Sequence, residues 1–223
     1  MVKKTALLFG STGLVGNLLL EELIQSEIYS GIKTFVRQPT GITNPKVEEI
    51  VMDFSVPEDC ADRLKGDDLY ICIGSTIRKA GSVENFGKID RDLPVALATL
   101  AKKNGINRIA VVSSIGAKTS SGNYYLRVKG EMEQAVSRLD FEQVVIARPS
   151  MLLGERTERR PAETLGKIFM KLADPLISGK FRKYKAIHGR DVARAMISAM
   201  QKNSAKSVYE SDELQSLANK YQY

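Results

Sequence analysis

The chain opens on an apolar run, Ala6-Leu7-Leu8-Phe9 after Thr5. A run without polar alternation marks a strand buried on both faces, as parallel sheets require. Residues 14–26 then place apolar side chains at helical intervals. The strand signature returns at 32–36, 47–52, 69–73, 108–112 and 143–147, the fourth strand closing at Gly74. Helical spacing returns over 85–104, where Asn104-Gly105 supplies a stop, and over 123–139. Strand and helix alternate to about residue 150, which predicts an α/β fold with a doubly wound parallel sheet. Beyond it, 161–178 and 189–201 read as helices and 207–209 as a short strand. This tail is expected to pack on the sheet as a small C-terminal lobe. Residues 1–223 are thus read as one domain, with 151–223 contributing the substrate side.

Composition narrows the class. Apolar residues at 43% and charged residues at 26% exclude a disordered or fibrous chain. The 33 basic against 26 acidic residues leave +7, which suits a solvated surface, a polyanion or an anionic cofactor. The densest basic run, Lys180-Phe181-Arg182-Lys183-Tyr184-Lys185, interleaves aromatics as single-strand binders do. It is short, and a solvated or substrate-facing loop is the favoured reading, so nucleic acid is not expected as a partner. Cys60 and Cys72 cannot form a disulfide framework, and His188 stands alone, so no metal site is expected. The uncharged stretch 5–20 after Lys3-Lys4 has a signal-peptide outline. Gly10, Gly13 and Gly16 interrupt it, and Glu21-Glu22 follow with no small-residue cleavage site. No segment reaches the length of a membrane span. A cytoplasmic protein without membrane association is expected.

Gly10-Ser11-Thr12-Gly13-Leu14-Val15-Gly16 joins the first strand to the first helix. The first glycine permits a sharp turn, the second lets backbone approach a pyrophosphate, and the third lets helix pack on sheet. The helix N-terminus adds free N–H groups and a positive dipole end. A triphosphatase loop is excluded, because the Gly-Lys pairs at 87, 166 and 179 are not followed by Ser or Thr. The second strand ends Phe35-Val36-Arg37, and no acid appears until Glu48. A guanidinium there suits the 2′-phosphate of NADP(H), whereas NAD(H) calls for a carboxylate, so NADP(H) is favoured over NAD(H).

Tyr125 and Lys129 lie four apart on a predicted helix and share a face. A phenol of ordinary pKa, about 10, is a poor acid or base at neutral pH, and a neighbouring ammonium favours its phenolate. Such a pair can exchange a proton with a carbonyl or alcohol oxygen while nicotinamide exchanges hydride. Ser113 and Ser114, after the fifth strand, are placed to orient that oxygen. Ser114 is the first choice, with Ser113 open as the alternative.

These motifs together resemble an atypical short-chain dehydrogenase/reductase, and more narrowly the Tat-interacting-protein oxidoreductase family with its bacterial relatives. The resemblance is carried by the glycine loop, Cys72-Ile73-Gly74-Ser75-Thr76 with Lys79-Ala80-Gly81, and Asp90-Arg91-Asp92. It continues through Ser113-Ser114, Gly116-Ala117, Tyr125 to Glu131, and Arg148-Pro149. It implies a Rossmann-type domain in which Gly10, Ser11, Thr12, Gly13, Leu14, Val15 and Gly16 cradle the pyrophosphate. It further implies that Asp53 and Phe54 flank adenine, that Ile73, Gly74 and Ser75 lie along the cofactor, and that Pro149, Ser150, Met151 and Leu152 pass the nicotinamide. The segment from Ile187 to Ala195 resembles one in extended members of the superfamily, which makes His188 structural. The implied activity is NADP(H)-dependent oxidation or reduction of a small molecule by a monomer or homodimer. A non-catalytic redox sensor and an epimerase-like enzyme are the alternatives. The short tail favours a small substrate over a nucleotide sugar.

Overall fold

The computed structural model describes residues 3–154, 179–202 and 204–221. The predicted helix at 161–178 lies outside them. Nine strands are present among the described residues: β1 (Lys4–Phe9), β2 (Tyr29–Val36), β3 (Val47–Val51), β4 (Asp68–Ile71), β5 (Arg108–Val112), β6 (Gln143–Arg148), β7 (Leu152–Leu153), β8 (Ile187–His188) and β9 (Val208–Glu210). Seven form one all-parallel sheet in the order β3-β2-β1-β4-β5-β6-β9, while β7 and β8 pair separately. The expected Rossmann-type sheet is therefore what the chain forms.

The uninterrupted apolar runs follow from burial on two faces. In β1, Ala6 and Leu8 join a core built with Leu19 and Leu23 of α1 (Leu14–Gln25) and Met196 of α6 (Gly189–Met200). Leu7 and Phe9 join the opposite core, with Leu97 of α4 (Leu93–Lys103) and Met132 of α5 (Tyr124–Ser137). Under the strand N-termini, Tyr29 Oη donates to Asp68 at 2.5 Å and meets Tyr70 Oη at 2.7 Å, and Arg108 Nε lies 2.6 Å from Asp68. This buried cluster ties β2, β4 and β5 at the end of the sheet opposite the glycine loop.

The tail does more than form a lobe. Strand β9 extends the main sheet, followed by α7 (Ser211–Ala218), which the apolar spacing did not announce. Helix α6 packs on α1, where buried Glu22 meets Arg190 at 2.7 Å and Arg194 at 3.1 Å. Those pairs give the segment from Ile187 to Ala195 a structural purpose, with exposed His188 at the N-cap of α6.

The expected helix over 85–104 forms as one helical stretch over 83–103, with a π turn inside it. A short α2 (Ile77–Ala80) and α3 (Val83–Gly87) lead into a π turn at Lys88–Asp92 before α4 begins. Pro94 explains the π turn: it has no N–H to return to the carbonyl four residues back, that of Asp90. Leu93 N–H instead bonds Lys88 O, five residues back.

Candidate active site

Parallel topology brings the segments that follow β1, β2, β4, β5 and β6 to one edge of the sheet. Between β1 and β4 the strand order reverses, and ligands in such sheets settle there. A cleft of about 470 Å³ opens at this edge. It is lined from β1 by Thr12, Gly13, Leu14 and Val15, from β2 by Arg37, and from β4 by Cys72, Ile73, Gly74 and Ser75. Asp90, Ser113, Tyr125, Lys129 and Leu152 line the rest together with Asn17, Leu18, Lys79 and Val112.

The three loop glycines occupy three different situations. Gly10 has φ +86°, a left-handed conformation that leaves room for little but glycine. Gly13 lines the cleft at the N-cap of α1, and a Cβ there would meet nothing closer than Gly10 O at 3.4 Å. Gly16 lies behind the cleft, where a Cβ would fall 2.0 Å from Gly10 O. Ser11 turns away from the cleft and shares a buried hydrogen bond of 2.8 Å with Thr34 of β2, tying the loop to the neighbouring strand. Helix α1 has no side-chain cap and no acid in its first turn, so its leading N–H groups stay available. Arg37 is exposed at the rim and makes no ion pair among the described residues.

Asp53 and Phe54 stay outside the cleft lining. Asp53 accepts from Ser55 N–H at 2.8 Å, which holds its carboxyl below the usual range, and Phe54 packs edge-on to Phe9. Pro149, Ser150 and Met151 also stand outside it; Ser150 N–H donates to Ser211 Oγ at 2.7 Å, and only Leu152 of that segment lines the cleft.

Tyr125 and Lys129 share the inner face of α5, as their spacing requires. The Tyr125 ring stacks on Phe86 at 5.4 Å, and Lys129 is 3% exposed. Its ammonium lies 2.8 Å from Asp90 Oδ1, whose second oxygen accepts Ser75 N–H at 2.8 Å. Asp90 enters the site unannounced by spacing; Pro94 four residues later was the available signal. Strand alternation puts Ser113 on the face of Ile109 and Val111, toward α5. There its hydroxyl donates to buried Glu133, which also accepts Arg148 Nε at 2.9 Å and Nη2 at 2.5 Å. Ser114 is not among the cleft residues, and its hydroxyl donates to Ile115 O at 3.4 Å. Arg148 thus holds Glu133 in place, and Gly130 lets α5 approach the loop at Lys118, where a Cβ would fall 2.4 Å from a backbone carbon.

A family model described as NAD(P)H-binding matches residues 10–203. The chain belongs to that family. This NAD(P)H-binding chain is 35% identical to protein HTATIP2 of Rattus norvegicus over 184 residues, 80% of this chain and 76% of that protein. It is 34% identical to the mitochondrial protein FMP52 of Debaryomyces hansenii, with 86% of each chain covered. The resemblance read from the motifs is the one these relatives bear out. Among solved structures it is similar to MoeE5 in complex with UDP-glucose and NAD, at TM-score 0.69 and 17% identity over 97% of this chain and 81% of that one. It is also similar to a UDP-glucose 4-epimerase of Thermotoga maritima with UDP-glucose, at TM-score 0.69 and 15% identity over 97% and 82%. At those identities the likeness concerns the fold. Among the described residues no helix is long and apolar enough to cross a membrane, and no group of three metal-binding side chains occurs.

Proposed function

We propose that the chain is an NADP(H)-dependent oxidoreductase acting on a small carbonyl or alcohol. The observation that carries this reading is the convergence of Tyr125, Lys129, the glycine loop and Arg37 on one cleft. The residues fit a dinucleotide: the uncapped leading N–H groups of α1 follow Gly13, where no side chain fills the space, and the Arg37 guanidinium, without an ion pair among the described residues, waits at the β2 end for a 2′-phosphate. When bound, the cofactor supplies or takes up hydride. Tyr125 Oη gives a proton to a carbonyl oxygen, or takes it from an alcohol. Lys129 shares the inner face of α5 with Tyr125 and lines the same cleft, where its N–H groups can donate to the bound ligand. The segment after β6, from 151 on, supplies the substrate side. Two free cysteines, Cys60 buried and Cys72 half-buried, suit a reducing compartment such as the cytoplasm, although the Debaryomyces relative is named as mitochondrial.

One observation favours a second reading, a cofactor-loaded sensor without turnover. Ser113 spends its only hydroxyl proton on Glu133 and Ser114 donates to Ile115 O, so neither serine after β5 aims a donor at a substrate oxygen. NADPH oxidation across a panel of aldehydes and ketones separates the two. The enzyme reading expects turnover that Tyr125→Phe lowers by about a hundredfold or more. Turnover untouched by that substitution overturns the assignment of Tyr125, and tight NADPH binding without turnover establishes the sensor.

A further inference from the structure

We infer that Asp90 is a positioning residue of the cofactor cleft, acting through Lys129; this rests on the reading of the cleft as a nicotinamide cofactor site. Asp90 is fully buried, and it is delivered by the π turn that Pro94 imposes. π turns recur where a helix must present a functional group. Its carboxylate joins two segments that both line the cleft. Oδ1 holds the Lys129 ammonium of α5 at 2.8 Å, and Oδ2 holds the Ser75 amide after β4 at 2.8 Å. Gly74 lies over the pair; a Cβ there would stand 3.5 Å from Asp90 Oδ1 and 3.7 Å from Lys129 Nζ.

An ammonium has three N–H donors and no acceptor. Asp90 Oδ1 faces it as an ion-pair partner without hydrogen-bond geometry, so the carboxylate supplies the counter-charge that holds the ammonium and its N–H donors are left for the cleft. A buried lysine without this carboxylate has no counter-charge, and it swings toward solvent or toward any other oxygen in reach. Preorganisation therefore resides in Asp90, while contact with the ligand belongs to Lys129. Asparagine preserves the shape and removes the charge, so it isolates the ionic part of the function.

The test is a double-mutant cycle read on cofactor affinity, using NADPH, and NADH in parallel, with the full chain. Asp90→Asn is expected to weaken NADPH binding about tenfold, because the Lys129 ammonium loses its counter-charge. Lys129→Met is expected to weaken it at least as much. The double variant is expected to match Lys129→Met alone, because Asp90 has nothing left to position. A purely structural Asp90 gives losses that multiply, and that result overturns the inference, as does an Asp90→Asn protein that binds NADPH like the parent. Where Asp90→Asn does not fold, the apolar pair Asp90→Leu with Lys129→Met replaces it, since removing both buried charges is tolerated better than removing one. Equality of that pair with Lys129→Met supports the inference, and a further tenfold loss overturns it. A parent chain that binds neither dinucleotide overturns the cofactor reading and this inference together, whereas parental binding with an inert Asp90→Asn overturns this inference alone.

Discussion

Alanine substitutions in the glycine loop separate what the loop does for the fold from what it does for the ligand. At Gly16 a Cβ would lie 2.0 Å from Gly10 O and 2.7 Å from Gly10 C, both backbone atoms that no rotamer change can move. Overpacking of this kind costs about 1–3 kcal/mol or more. The site is inside α1, so alanine also gains about 1 kcal/mol of helix propensity over glycine. With contacts this short the clash dominates, and Gly16→Ala is expected to lose about 2 kcal/mol or more. At Gly13 the backbone is extended, φ −85° and ψ 168°, which alanine adopts freely. Its nearest neighbours would be Gly10 O at 3.4 Å and Cys72 O at 4.0 Å, ordinary contacts. Losing glycine at an N-cap costs less than about 1 kcal/mol. The new methyl stands in the cleft, however, where a pyrophosphate must approach backbone, and NADPH affinity is expected to fall more than tenfold. Urea denaturation without cofactor measures the first effect, and NADPH fluorescence titration the second. Equal destabilisation by the two substitutions, or parental affinity in Gly13→Ala, would refute the division of labour.

Removal of the Glu133 charge by Glu133→Gln strands the Arg148 guanidinium and is expected to cost about 3 kcal/mol, seen as a lower urea midpoint. Arg148→Leu together with Glu133→Leu should recover much of that loss, because no charge is left unpaired. Burial pushes the Cys72 thiol up to about 12 and the Cys60 thiol up to about 11. At pH 8 iodoacetamide is therefore expected to label neither at an appreciable rate until urea unfolds the chain. Because these thiols hold their protons longer in the folded protein than in the unfolded one, where they titrate near about 8.5, stability falls as pH rises above that value. Tyr29 and Tyr70, raised well above the ordinary phenol by burial first, add to the loss at higher pH. A urea midpoint lower at pH 10 than at pH 8 is the expected result, and an unchanged midpoint contradicts it.

The parts of the fold legible in the sequence are those whose causes are local. Leu7 and Leu8 announce a strand buried on both faces because each faces its own core. The glycine loop declares itself through spacing that a βα turn demands. Tyr125 and Lys129 are readable because helical geometry alone puts them together. The polar partners of the site are not readable in this way. Asp90 meets Lys129, and Ser113 and Arg148 meet Glu133, through tertiary packing that no spacing rule encodes. The helix over 85–104 was legible because its apolar positions keep helical phase, but the π turn inside it was not. The consequence of Pro94, a widened turn that buries Asp90, depends on the sheet edge beside it. Ser113 and Ser114 could not be told apart from sequence, since the direction each side chain takes is set by how far the β5 ladder continues; Ser113 N–H still bonds Ala147 O.

The most direct test of the cofactor cleft is calorimetric titration of the purified chain with NADPH and with NADH, repeated for Arg37→Ala. The convergence of the glycine loop and Arg37 on one cleft predicts that NADPH binds at least tenfold more tightly than NADH, and that Arg37→Ala removes the difference by weakening NADPH alone. Equal affinity for the two dinucleotides, unmoved by Arg37→Ala, would contradict it.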